Sequence, residues 1–316
     1  SDSIIDGSGI DRVFEVISGG LNLEDVGVTG GANVDGAGIR VNTGPFTLLN
    51  SRVYNNGSAL ATSGGGLRLL STTPFLIKDS VIETNAALNG HGGAVDILGP
   101  GRIENTIVRM NTGGGIKIGA PTNSTVEIVA SRIEENSGGG VQVIEGNVVI
   151  TDSTIRGNLA PTSNAGGLLL ASGGTGNISR TTISDNQAGG AGGGVYVDNT
   201  TATFTNVTLS GNKTLNGGGG IFVNSGSAAI VSSTISQNDA AVAGGGFFTS
   251  RTVSIRDSIV AGNTSPLGPD LRKDPTSGSA VITSLGGNLI GDGTGSSFPT
   301  GGVGDQVGAS GSRINP

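Results

Sequence analysis

Apolar residues in this chain recur in pairs spaced two apart, the period of a strand with one buried face, and no helical period is sustained. In the stretch 195–209 the pairs are Val195 and Val197, Ala202 and Phe204, and Val207 and Leu209. The alternation holds in other coils at Ile221, Val223, Ile230 and Ile235, and at Val141, Val143, Val148, Ile150 and Ile155. Three short strands therefore fill each unit of a repeat. Two sequence markers set its length. An asparagine closes the third strand at Asn56, Asn85, Asn111, Asn136, Asn158, Asn186, Asn212, Asn238 and Asn263. The first and last are 207 residues apart over eight steps, a mean near 26. The apolar residue after a glycine cluster gives the same period at Ile39, Leu67, Val95, Ile116, Val141, Leu168, Val195, Ile221 and Phe247.

A third column lies six residues before each asparagine. It holds Asn50, Asp79, Asn105, Ala130, Asp152, Arg180, Asn206, Ser232 and Asp257. Asn and Asp dominate it, and they tolerate the left-handed backbone of a tight turn. The conspicuous asparagines are expected to turn a second corner and to stack as a ladder. Glycine triplets such as Gly244–Gly246 bring the backbone back into the stack. The distance from each asparagine to the next post-glycine residue varies from 5 to 11, so insertions are expected in this one loop. Strands this short bury a core only by stacking on their neighbours. The expected fold is all-β, a parallel β-helix (β-solenoid) of about 10–11 coils of about 26 residues with three short strands per coil. Residues 1–263 form the regular coils. Residues 264–316 form an irregular terminal coil and tail of the same domain, and the whole reads as a piece of a larger protein.

Composition narrows this picture. The chain has 60 glycines but only 10 prolines and no triplet period, which excludes collagen. A net charge of −7 and recurrent Ile, Val and Leu exclude a disordered chain. Mild acidity argues against a nucleic-acid partner, and no apolar run is long enough to span a membrane. "SDSIIDGSGI" at the start is strand and turn material rather than a secretion signal, so a processed chain or an excised piece is expected. The Ser/Thr/Asn/Gly-rich texture suits an extracellular protein of the bacterial cell surface.

The motifs "GGGV", "GGGI" and "GGAV", alternating with "STISQN" and "TTISDN", resemble the repeats of chlamydial polymorphic outer-membrane proteins, with Ile, Val or Leu for the usual Phe. "IDGSGIDRVFEV" and "SIVAGNTSPLGPDL…SLGGNLIGD" are more similar to right-handed β-helix repeats of large secreted bacterial proteins, including the choice-of-anchor type. The resemblance covers roughly residues 3–308. It implies right-handed coiling, which the crossover rule also favours. It further implies a repetitive part of a surface or secreted protein, with a C-terminal anchoring or capping piece following the "NLIGD" region, while the columns, accounted for structurally with no acid/base cluster left over, point to a non-catalytic structural or adhesive role.

The residue after each post-glycine position should face solvent. This column reads Arg40, Arg68, Asp96, Lys117 and Gln142, then Leu169, Tyr196, Phe222 and Phe248. Tyr196, Phe222 and Phe248 could form a platform for a polysaccharide or another surface protein, or a stack that stabilises the fold. Arg68, Asp96 and Lys117 could mimic a polysaccharide lyase, which needs a base and often calcium-binding carboxylates; opposite charges stabilising a stack explain them equally. Two residues before the asparagines, Glu83, Arg109, Glu134 and Arg156 form an alternating charge ladder, expected at the surface and weakly stabilising. His91, the single histidine, reads as a solvated loop residue with no zinc companion. "GDGTGS" at 291–296 resembles a calcium turn without the acidic ladder such a site needs, so no cofactor is assigned. No catalytic residue is assigned either. The alternatives to a structural or adhesive solenoid are a polysaccharide-binding or lyase-like β-helix and a subunit of a head-to-tail filament, since β-helix ends are open strand edges.

Overall fold

The computed structural model describes residues 3–57, 63–87, 92–171, 173–299 and 302–315. The chain forms two compact units, Ser1–Thr154 and Ile155–Pro316. Each is built from coils of three strands, and each strand pairs in parallel with its counterpart one coil on.

In unit 1 the post-glycine face stacks Phe14–Val16, Ile39–Val41, Leu67–Leu69, Val95–Ile97, Ile116–Gly119 and Val141–Glu145. The register runs Ile39–Leu67–Val95–Ile116–Val141, the column read from the sequence. A middle face begins with Leu21–Glu24 and ends with Asn147–Thr151, and the asparagine face includes Arg52–Tyr54, Val81–Glu83, Ile107–Arg109 and Arg132–Glu134. In unit 2 the register Leu168–Val195–Ile221–Phe247–Leu271 continues the same logic, so Leu271 takes a core place in the irregular region after residue 263. The apolar member of each column points inward in both units, and Ile39, Leu67, Phe204 and Phe247 are fully buried. Each such Val, Leu, Ile or Phe contributes roughly 1.5–3 kcal/mol through removal from water.

Corners hold the three faces together. Every residue of the Asx column has a positive φ, between 45° and 54°, including Ala130, Arg180 and Ser232. The second corner differs from expectation. It is the residue before each asparagine that is left-handed, at φ 53° to 71°: Asn55, Thr84, Met110, Glu135, Gly157, Asp185, Gly211, Gln237 and Gly262. This rotation turns the following asparagine side chain into the interior. At the glycine triplet, Gly244 has φ 62°, whereas a Cβ on Gly245 or Gly246 would meet a backbone oxygen at 2.3 or 2.2 Å. The first glycine supplies conformation and the next two permit close approach.

Unit 2 also contains a strand that the sequence reading assigned to a variable loop. Leu159–Ala160, Gln187–Ala188, Lys213–Thr214 and Asp239–Ala240 directly follow the ladder asparagines and pair into a fourth parallel sheet. Its second position is buried in all four strands. The reason is regular length. From Asn186, Asn212 and Asn238 the next post-glycine residue is always nine positions away. In unit 1 the corresponding distance falls from 11 to 5, and the described residues of these loops make isolated bridges such as Ala86 to Thr112.

Candidate functional site

The ladder asparagines are buried and fully engaged. In unit 2, the Oδ1 of Asn212 accepts from both the backbone N–H and Nδ2 of Asn186, at 3.1 and 3.0 Å. Its own Nδ2 donates to Asn238 Oδ1 and to the Ile183 carbonyl, both at 2.9 Å. Asn238 passes the pattern to Asn263, and Asn263 passes it to Asp270 Oδ1. Asp270 also accepts from the Asp292 N–H through Oδ2 at 2.7 Å. Burial pushes the Asp270 carboxyl above its ordinary value, against the pull of the Asn263 donors. In unit 1 the same two-bond step joins Asn56 to Asn85 and Asn111 to Asn136. Buried polar groups must be paired in this way, and these asparagines are a framework rather than a ligand site.

A second ladder escaped the sequence reading. The residue after each Asx turn is buried, and in most coils it is Ser or Thr. Ser51 N donates to Ser80 Oγ, Thr106 N to Ser131 Oγ, Val207 N to Ser233 Oγ and Ser233 N to Ser258 Oγ, at 3.0–3.2 Å. Ser258 N ends on Asn288 Oδ1, and Asn288 in turn donates to Asp305. A turn residue followed by Ser or Thr at each repeat was the available signal.

The charge ladder differs from expectation as well. Glu83 and Glu134 are 2% and 4% exposed. Glu83 receives Arg52 and Arg109 from the coils on either side, Arg109 at 2.7 Å. Burial alone would raise the Glu83 carboxyl, but the hydrogen bonds from Arg109 and Arg52 outweigh it and hold it below its ordinary value. The pairing is partly buried because the longer Arg chains lie over the shorter Glu, whose desolvation two donors then offset.

Arg68, Asp96 and Lys117 stand in register on the post-glycine face of unit 1. Asp96 is 2% exposed, Arg68 Nε lies 3.4 Å from it, and Arg68 Nη1 is held by Asp35. Arg40 approaches Asp35 at 3.4 Å and Glu15 at 3.8 Å. Arg40 and Arg68 thus form one network of opposite charges with Glu15, Asp35 and Asp96. His91 lies outside the described residues. Among the described residues, no group of three or more His, Cys, Asp and Glu is placed to hold a metal ion. In the 291–296 turn, Asp292 is engaged by Thr294 and by Arg313 at 3.2 Å, which keep its carboxyl below the ordinary value despite burial.

In unit 2, Tyr196, Phe222 and Phe248 occupy adjacent register positions between Leu169 and Arg272. The rings stack with centroids 5.3 and 5.1 Å apart and planes within 10° and 15°. Phe222 therefore has a ring on each side. Beside them, a Cβ on Gly217 would sit 3.5 Å from both Phe222 and Phe248, so the glycine-side loops border the rings. Those loops carry Leu215, Val242 and Leu267, each about half exposed or more. Stacked rings and exposed aliphatics occupy neighbouring coils of unit 2.

The family model described as "Right handed beta helix region" matches residues 18–178, just over half of the chain. The chain belongs to this right-handed β-helix family. No curated protein and no solved structure matches it. Membership gives the β-helix its hand, and the stacked asparagines are its internal ladder. It brings no activity with it, because fold and function are separable and function must be argued from the site.

Proposed function

We propose that this β-helix is a non-catalytic structural or adhesive domain of an extracellular bacterial protein, and that the aromatic edge of unit 2 is its contact face for another surface protein. The observation that supports this reading is the coincidence of Tyr196, Phe222 and Phe248 with exposed Leu215, Val242 and Leu267. Exposed apolar groups gathered on one edge mark interaction surfaces. Because each ring turns its face to the next ring, a partner meets ring edges and methyl groups, which suits an apolar protein segment better than the flat face of a sugar. Arg68, Asp96 and Lys117 support the stack in this reading rather than carrying a reaction.

The test is adhesion of protein-coated beads to bacterial and host-cell surfaces. Leu215→Asp, at an exposed position, is expected to reduce adhesion at least severalfold with an unchanged unfolding midpoint. Adhesion indifferent to Leu215→Asp and Phe222→Ala would remove the contact face. Turnover of a uronic-acid polysaccharide to unsaturated product, abolished by Lys117→Ala, would overturn the non-catalytic reading.

A further inference from the structure

Beside the exposed aliphatics of unit 2 stands a couple of opposite charges. On successive coils of the fourth sheet, Gln187, Lys213 and Asp239 face outward in register, and Thr264 of the coil after them bridges to Asp239. Lys213 and Asp239 are exposed, and neither enters an ion pair among the described residues. Leu215 lies two residues after Lys213, and Ala241 and Val242 follow Asp239 on the next coil. One coil before Lys213, loop 188–193 consists of Gly and Ala alone.

We infer that the partner of this edge is a second copy of the chain, packed antiparallel about a two-fold axis that runs along the strands between the Lys213 and Asp239 coils. The inference rests on the contact-face reading and names the protein that the face meets. Three observations carry it. First, the charges are self-complementary in this one direction. The axis sets each Lys213 against the second copy's Asp239, which makes two ion pairs per dimer, and sets Gln187 against Thr264. Copies packed in the same direction and centred on this row would set Lys213 on Lys213 and Asp239 on Asp239. Opposite charges across an interface fix its register and exclude the like-charged arrangement. Second, the apolar groups fall together. Leu215 of one copy meets Ala241 and Val242 of the other, and exposed Leu267 meets the low 188–193 loop, where Gly and Ala leave room for it. An unrelated protein would have to match this order of charge, large side chain and small side chain, whereas a second copy carries it by symmetry. Third, the net charge of −7 lies entirely in residues 1–154, while residues 155–316 carry eight basic and eight acidic side chains. Two copies therefore approach through unit 2 without the self-repulsion that unit 1 would bring.

The test is sedimentation equilibrium of the purified chain, read as a dimer dissociation constant. The parent is expected to dimerise at roughly 100 μM, as suits a small interface. Lys213→Asp and Asp239→Lys, both at exposed positions, should each weaken dimerisation more than tenfold by setting like charges together. An equimolar mixture of these two variants should restore it to within about threefold, because every facing pair is then opposite again. Mixing does not rescue a fault in folding. Leu215→Asp should weaken dimerisation more than tenfold. A chain that stays monomeric up to about 1 mM overturns the inference, as does dimerisation that both charge variants leave unchanged or that the mixture fails to restore. Adhesion lost through Leu215→Asp in a monomeric chain overturns the second copy as partner and leaves the contact face to a different protein. Adhesion indifferent to Leu215→Asp in a chain that dimerises removes the adhesive role and leaves the dimer.

Discussion

The loop after the ladder asparagine has two forms in this molecule. In unit 2 it has near-constant length and becomes a fourth parallel sheet, from Leu159–Ala160 to Asp239–Ala240. In unit 1 its length ranges from 11 to 5, and its described residues make single bridges. The neighbouring outward column differs in parallel: Arg40, Arg68, Asp96 and Lys117 in unit 1 against Leu169, Tyr196, Phe222 and Phe248 in unit 2. Equal spacing lets like side chains stack on like, which suits rings. Charges in register must alternate or find partners across the edge, as Arg40 and Arg68 do on Asp35. The same interior pattern, repeated in each unit, thus supports two chemically different surfaces.

The largest expected effect tests what the units share. Asn212→Ala in unit 2 leaves two buried donors of Asn186 and the Ile183 carbonyl without this partner, at roughly 1–3 kcal/mol each. Asn85→Ala removes the same bonds to Asn56 and Val53 in unit 1. Denaturant unfolding should show losses of about 3–5 kcal/mol for both, and a mild effect in one unit only would break the equivalence. Next, Glu83→Gln should cost about 1–3 kcal/mol by weakening charge-assisted bonds to two half-exposed arginines. The folded Glu83 carboxyl is held below its ordinary 4.5. Its stabilisation is therefore complete above that value and is lost as pH falls through the lower folded value. Thermal scans from pH 6 to pH 3 should show a shallower acid decline in Glu83→Gln than in the parent. Phe222→Ala removes two ring contacts, roughly 0.5–1.5 kcal/mol each beyond lost burial, and Phe222→Leu should cost less. A fluorescence-independent midpoint from circular dichroism would settle the order. Lys117→Ala should change stability by no more than about 0.5 kcal/mol, and a larger loss would make the charged column as cohesive as the aromatic one.

The repeat was legible because its markers are chemically selective. A buried amide accepts from one coil and donates to the next through one side chain, and asparagine recurs at nine positions and reveals the period. Likewise the apolar residue after the glycines named its register partners correctly within each unit, down to Phe247. Backbone shape was less legible. The left-handed residue before each ladder asparagine can be Asn, Thr, Met, Glu, Gln, Asp or Gly, because the buried asparagine beside it imposes the conformation. The Ser/Thr ladder was masked by a chain rich in both residues and by Val207, which uses only its N–H in that place. Burial of Glu83 depended on two arginine side chains from other coils folding over it, which spacing along one strand does not encode. The aromatic column was visible, but the near-parallel setting of its rings was not.

The asparagine ladder of unit 2 has a direction. Every side-chain amide donates toward the next coil, from Asn158 to Asn186 and onward to Asn263, and the last acceptor is the carboxylate of Asp270, which when ionised has nothing to donate. Inside the run, each coil presents the same acceptor backward and the same donor forward. A whole coil can therefore be duplicated or deleted in the course of evolution without leaving an unmatched amide, provided the final coil keeps its acid. Length is free to drift, while the terminator is not.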